Sequence, residues 1–112
     1  MRLGPVLLVL ALTSSGCELT TARSTASLTY TEDAHAAYRQ AMEAFDAKNW
    51  EDARALLSEL RRLFSYSRFA KLAALRLADV DFEQGKYSEA IGSYRAFIRG
   101  HKADTNVEYA KY

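Results

Sequence analysis

The chain has 112 residues, with 15 basic and 14 acidic side chains and a formal charge of +1, enough for one domain with appendages. So even a balance points to neither nucleic acid nor an acidic partner, and 49% hydrophobic residues exclude wholesale disorder. Cys17 is the only cysteine, which excludes an internal disulfide and a cysteine zinc site; His35 and His101 lack the spacing of a metal pair.

The first element is an address. Met1-Arg2 supplies a short positive start, and Leu3 to Leu12 (LGPVLLVLAL) is an apolar run. As a helix that run spans about 15 Å, roughly half a bilayer core, so it reads as a signal-peptide core and not as a membrane span. Ser15-Gly16-Cys17 resembles the end of the lipobox of bacterial lipoproteins, with Ser14 where that motif usually has leucine. Small residues at Ser14 and Gly16 also suit ordinary signal peptidase. Both enzymes would cut before Cys17, and they differ in whether its thiol is acylated. The expected organisation is a signal peptide over 1–16 and a lipidated cysteine with a flexible tether over 17–31. The tether (ELTTARSTASLTYT after the cysteine) is rich in Ser, Thr and Ala and carries no helical stripe. Glu18 is not the aspartate that, by resemblance to the bacterial sorting rule, retains lipoproteins at the inner membrane. The expected location is the outer membrane.

From Glu32-Asp33 onward the chain repeats itself. Asn49-Trp50-Glu51-Asp52-Ala53 recurs as Lys86-Tyr87-Ser88-Glu89-Ala90, 37 residues later. The same shift relates Ala41 to Ala78, Phe45 to Phe82, Leu57 to Tyr94 and Leu60 to Phe97, and it carries Ala36 through Ala73 to Ala110. A constant period of this length signals stacked supersecondary units. Each unit reads as two helices. The first pair is expected at about Asp33–Ala47 and Trp50–Leu63, with Leu56, Leu57, Leu60 and Leu63 inward. In the second unit, Leu72, Leu75, Asp79 and Phe82 mark one side of the first helix, and Gly85-Lys86 makes the turn. Ala90, Ile91, Tyr94, Phe97 and Ile98 form the apolar stripe of the second helix, which Gly100 closes. The fold class is all-α: two helical hairpins and the start of a third over 32–112, stacked as an α-solenoid. If the chain is whole, stopping inside a third unit leaves an uncapped apolar end, for which marginal stability or dimerisation through residues 103 to 112 is expected.

No catalytic constellation appears: there is no Ser-His-Asp pattern and no glycine-rich phosphate loop. Asp79 and Asp81, two apart on a helix, project to different sides and read as solvated or structural. The expectation is a non-enzyme without cofactor, metal or nucleic acid. The segment RRLFSYSRFAK between the units is where contacts with other proteins are most plausible in chemistry. It gathers Arg61, Arg62, Arg68 and Lys71 around Phe64, Tyr66 and Phe69, and arginine and tyrosine are favoured at interfaces. Phe64 and Phe69 also suit a staple joining the units.

A small residue in the first helix, an aromatic at the turn and an early alanine in the second helix resemble the tetratricopeptide repeat, without its usual closing proline. FSYSRFA (64–70), LRLAD (75–79) and FEQGKYSEAI (82–91) resemble the BamD family, lipoprotein subunits of the outer-membrane β-barrel assembly machinery. The resemblance runs from about Asp33 to Tyr112. It implies a lipid-anchored adaptor at the periplasmic face of the outer membrane. Its implied partners are the barrel-forming subunit, other assembly lipoproteins and unfolded barrel substrates. The alternative is a periplasmic tetratricopeptide scaffold of another envelope complex.

Overall fold

A computed structural model describes the backbone of residues 18–112, the side chains from Leu28 onward, and Gly4. The signal peptide expected over 1–16 and the lipidation expected at Cys17 lie outside the described residues. Five helices follow in order: α1 (Glu18–Asp46), α2 (Trp50–Leu63), α3 (Arg68–Glu83), α4 (Tyr87–Gly100) and α5 (Val107–Lys111). The fold is all-helical, a tetratricopeptide-like stack in which α1 packs on α2, α2 on α3, α3 on α4 and α4 on α5.

The period of 37 is written into the geometry. Both ends of α2 map onto both ends of α4 at that shift. The turn after α1 donates Lys48 N–H to the Phe45 carbonyl (2.9 Å) and Asn49 N–H to Ala44 (2.9 Å). The turn after α3 repeats the pair, Gly85 to Phe82 (3.0 Å) and Lys86 to Asp81 (2.8 Å). This arrangement ends a helix by placing one residue in the left-handed region. Lys48 takes it at φ 59° and Gly85 at φ 76°. Each turn is then plugged by an edge-on aromatic pair, Phe45 with Trp50 (5.1 Å) and Phe82 with Tyr87 (5.3 Å).

One core cluster joins the units. Ala34 and Ala41 of α1, Ala53, Leu57 and Leu60 of α2, and Phe69, Ala70, Ala73 and Val80 of α3 are all buried in it. Alanine recurs because small side chains let helix axes approach closely. A second cluster of Leu75, Phe97, Val107 and Ala110 holds α5 against α3 and α4. Buried Ala110 stands one period beyond buried Ala73, so α5 is the start of a third first helix.

Three expectations need correction. Residues 18–31, expected as coil, belong to α1. Once the turns beyond Asp33 are formed, each further residue adds a hydrogen bond without a new nucleation cost, and Ser and Thr penalise a helix only by tenths of a kcal/mol each. Leu63, expected inward, is 50% exposed, because at about 100° per residue it falls to the side of the buried stripe Ala53, Leu57 and Leu60. Phe82 and Ile91 are also half exposed. Their counterparts in unit one, Phe45 and Arg54, are covered by α2 and by the α3 side chains of unit two, whereas among the described residues only the five-residue α5 stands on that side of unit two.

Candidate functional site

The segment between the units is held from both sides. Phe69 is buried, stacked on His35 (5.0 Å) and tilted against Tyr38 (5.6 Å). Phe64 takes the edge of Tyr30 (5.3 Å). Both phenylalanines therefore staple α1 to the second unit. Ser67 caps α3 by accepting from Ala70 N–H at 3.2 Å, and its hydroxyl donates to the Phe64 carbonyl at 2.7 Å. The Tyr66 N–H donates to the Tyr30 hydroxyl (3.3 Å), which fixes the loop while leaving the Tyr66 side chain 97% exposed.

Around this loop, Arg61, Tyr66, Arg68 and Lys71 line one groove of about 470 Å³ with Ser65 and His101. Its floor is Ala70 and Ala74 of α3, and its walls are the C-terminal ends of α2 and α4. A smaller hollow of about 190 Å³ continues it past Arg61, Ala74 and His101 to Leu77, Ala96 and Phe97. The Arg68 guanidinium lies over the Phe69 ring, 4.8 Å from its centre, a cation–π contact that positions the charge. Lys71 is paired with Asp104 and forms part of the wall. Asp104 also accepts from Asn106 N–H (2.8 Å). Together the Lys71 ammonium and Asn106 hold the Asp104 carboxyl down at about 2. Arg62 pairs with Glu59 at 2.5 Å and stays outside the groove. Four of the five residues singled out from sequence thus converge, and Arg62 does not.

Asp79 and Asp81 are buried, and their role is in the packing. Asp79 accepts from Arg76 (2.8 Å), from the Tyr94 hydroxyl and from the Tyr109 hydroxyl (3.0 Å), tying α3, α4 and α5 to one carboxylate. Burial, and then the Asp79 charge, push the Tyr94 hydroxyl far above its ordinary range; Tyr109 shifts the same way for the same reasons. Asp81 accepts from Arg54 of α2 at 2.6 Å, a bond across the two units. No group of three or more potential metal ligands occurs among the described residues.

The comparison with protein families decides the relationship. A family model described as outer membrane lipoprotein, YfiO, matches residues 31–112, most of the chain. The chain belongs to the YfiO family. The matched span opens within α1 and takes in both hairpins and α5, so the YfiO model and the period of 37 cover the same residues. No curated protein matches the chain, and no solved structure does. Among the described residues no helix of this YfiO-family chain is long and apolar enough to cross a membrane.

Sequence reasoning missed His101 as a groove residue and Asp104 as the partner of Lys71. Both come from the connection after α4, 30 and 33 residues beyond Lys71, where the basic segment ends. Helical periodicity carries no record of such a distance.

Proposed function

We propose that this chain is a lipid-anchored adaptor of the BamD type, serving β-barrel assembly at the periplasmic face of the outer membrane. The observation that carries the reading is the YfiO family match over residues 31–112, joined to an apolar leader that ends in Ser15-Gly16-Cys17. In this reading Cys17 is acylated, and each buried acyl methylene contributes about 0.8 kcal/mol to membrane binding. The helices do the recognition. Arg61, Tyr66, Arg68 and Lys71 form the contact surface, and its partners are the barrel-forming subunit, other assembly lipoproteins and unfolded barrel substrates. Arg62, already neutralised by Glu59, contributes least of the five basic and aromatic candidates.

The test is capture from envelope membranes by the tagged full chain, followed by identification of bound proteins. Recovery of barrel-assembly subunits, reduced by Tyr66→Ala with Arg68→Ala at unchanged helicity, is the expected result. Recovery of a different envelope complex would refute the assignment. The anchor is read separately: Cys17→Ser moves the chain from the membrane pellet to the soluble fraction, whereas a wild-type chain already soluble removes the lipid from the account.

A further inference from the structure

The trough between α2 and α4 has two chemically different ends. At one end is Arg68, with the exposed Tyr66 ring and Ser65 beside it, and Arg61 stands where the two hollows meet. At the other are Leu77, Ala96 and Phe97, with the His101 ring tilted on Phe97 at 4.8 Å where the two halves meet. Ala70 and Ala74, one helical turn apart, keep the floor between them low.

The charge in the trough is unspent. Ion pairs among the described residues join Arg54 to Asp81, Arg62 to Glu59, Lys71 to Asp104, Arg76 to Asp79 and Lys111 to Glu108. Arg61 and Arg68 have no such carboxylate, and both face the same concavity. Arg68 is also held in place by the Phe69 ring, so less side-chain freedom is lost when it meets an anion.

We infer that this trough binds an extended acidic segment of a partner protein, with a carboxylate between Arg61 and Arg68 and an apolar side chain against Leu77 and Ala96. The inference deepens the adaptor reading and rests on it for the occupant being a protein. The shape favours a peptide over other anions. A lone phosphate fills one end only and leaves the second hollow empty, and a bilayer surface is too flat to enter a trough walled by two helices. The groove lies on the α2 and α4 side, whereas the face lined by first helices is the one usually credited with extended ligands in helical solenoids.

The experiment uses the purified full chain in detergent and a short capped, fluorescent peptide alternating glutamate with leucine. Its controls are the glutamine counterpart, the glutamate–serine counterpart and inorganic phosphate as competitor. Saturable binding of the glutamate–leucine peptide is expected, weaker for both counterparts. Arg61→Gln with Arg68→Gln weakens it about tenfold, and Ala74→Leu, which raises the floor without altering charge, weakens it comparably. Arg62→Gln, which removes one charge outside the trough, leaves it unchanged. Circular dichroism confirms that each variant is folded. Four results would each overturn the inference: no binding, equal binding of the glutamine peptide, displacement by phosphate at equal concentration, or an Arg62→Gln loss as large as the double variant's. Attachment to phosphatidylglycerol vesicles that depends on Arg61 and Arg68, with no peptide binding, would reassign the trough to lipid. Failure of the capture experiment with peptide binding intact would sink only the assembly partners, since the peptide result stands without them.

Discussion

At the residue scale, Asp79 carries the most consequence for its size. It is 4% exposed, and it satisfies an arginine and two tyrosine hydroxyls drawn from three helices. Removing a buried acceptor strands all its donors, which is costlier than losing a bond between exposed groups. Asp79→Ala is expected to lower the unfolding free energy by about 2–4 kcal/mol in urea titration. Tyr109→Phe, which removes one donor and leaves Asp79 two others, should cost about 1 kcal/mol. A double variant close to Asp79→Ala alone would show that the Tyr109 bond acts through Asp79. The sequence placed Asp79 and Asp81 on a helix and left open whether they were solvated or structural. What it lacked was their partners, which stand 15, 27 and 30 residues away. By contrast, Leu57, Leu60 and Ala90 were legible as core, because local 3.6-residue periodicity alone decides them.

At the scale of elements, the two turns offer a controlled comparison. Lys48 and Gly85 stand 37 residues apart in the same left-handed backbone, one with a side chain and one without. A Cβ at Gly85 would meet nothing within 4 Å, so its substitution tests the backbone alone. Lys48→Gly should stabilise the protein by up to about 1 kcal/mol and Gly85→Ala should destabilise it by about 1 kcal/mol, read as opposite shifts of the thermal midpoint. The Gly85 turn was legible from sequence, since glycine announces the conformation; Lys48 announces nothing, and only the repeat reveals it. Helix α5 makes a different prediction. Asp104 is held at about 2, below an ordinary 3.8, by Lys71 and by Asn106. A carboxylate with a depressed value contributes stability that is fully present above the ordinary value and is lost as pH falls through the folded one. Between about pH 4 and 2, the protection factors of the Val107–Lys111 amides, exchange rates corrected for the intrinsic pH dependence, should therefore fall, and in Asp104→Asn they should already be low at pH 7. Unaltered exchange in that variant would detach α5 from the Lys71 contact.

At the scale of the whole molecule, the packing is serial: each helix touches its neighbours in sequence, and unit one meets unit two chiefly through α2 and α3. Stability in such stacks is nearly a sum of units and interfaces. Leu57, fully buried at that interface, is the place to test the coupling. Leu57→Ala should cost about 2–5 kcal/mol, and the two units should still unfold in one transition. Two separated transitions would show that the central interface does not couple them. At the far end, Phe82, Tyr87, Ile91, Tyr109 and Tyr112 remain exposed together around α4 and α5. Contiguous apolar surface of this kind favours association, and we propose that this patch pairs two copies of the chain, which should appear as a mass that rises with concentration in sedimentation. Ile91→Lys should suppress the rise. One further consequence follows from α1, whose 29 residues make a rod of about 44 Å where a slack chain was expected. Cys17 directly precedes that helix in sequence, so in the lipid-anchored reading proposed above the chain from residue 18 onward is helix and not slack coil. The protein would then stand off the bilayer like a mast instead of drifting on a leash. Its groove would sweep a shell of fixed radius, and only partners protruding to that height would meet it.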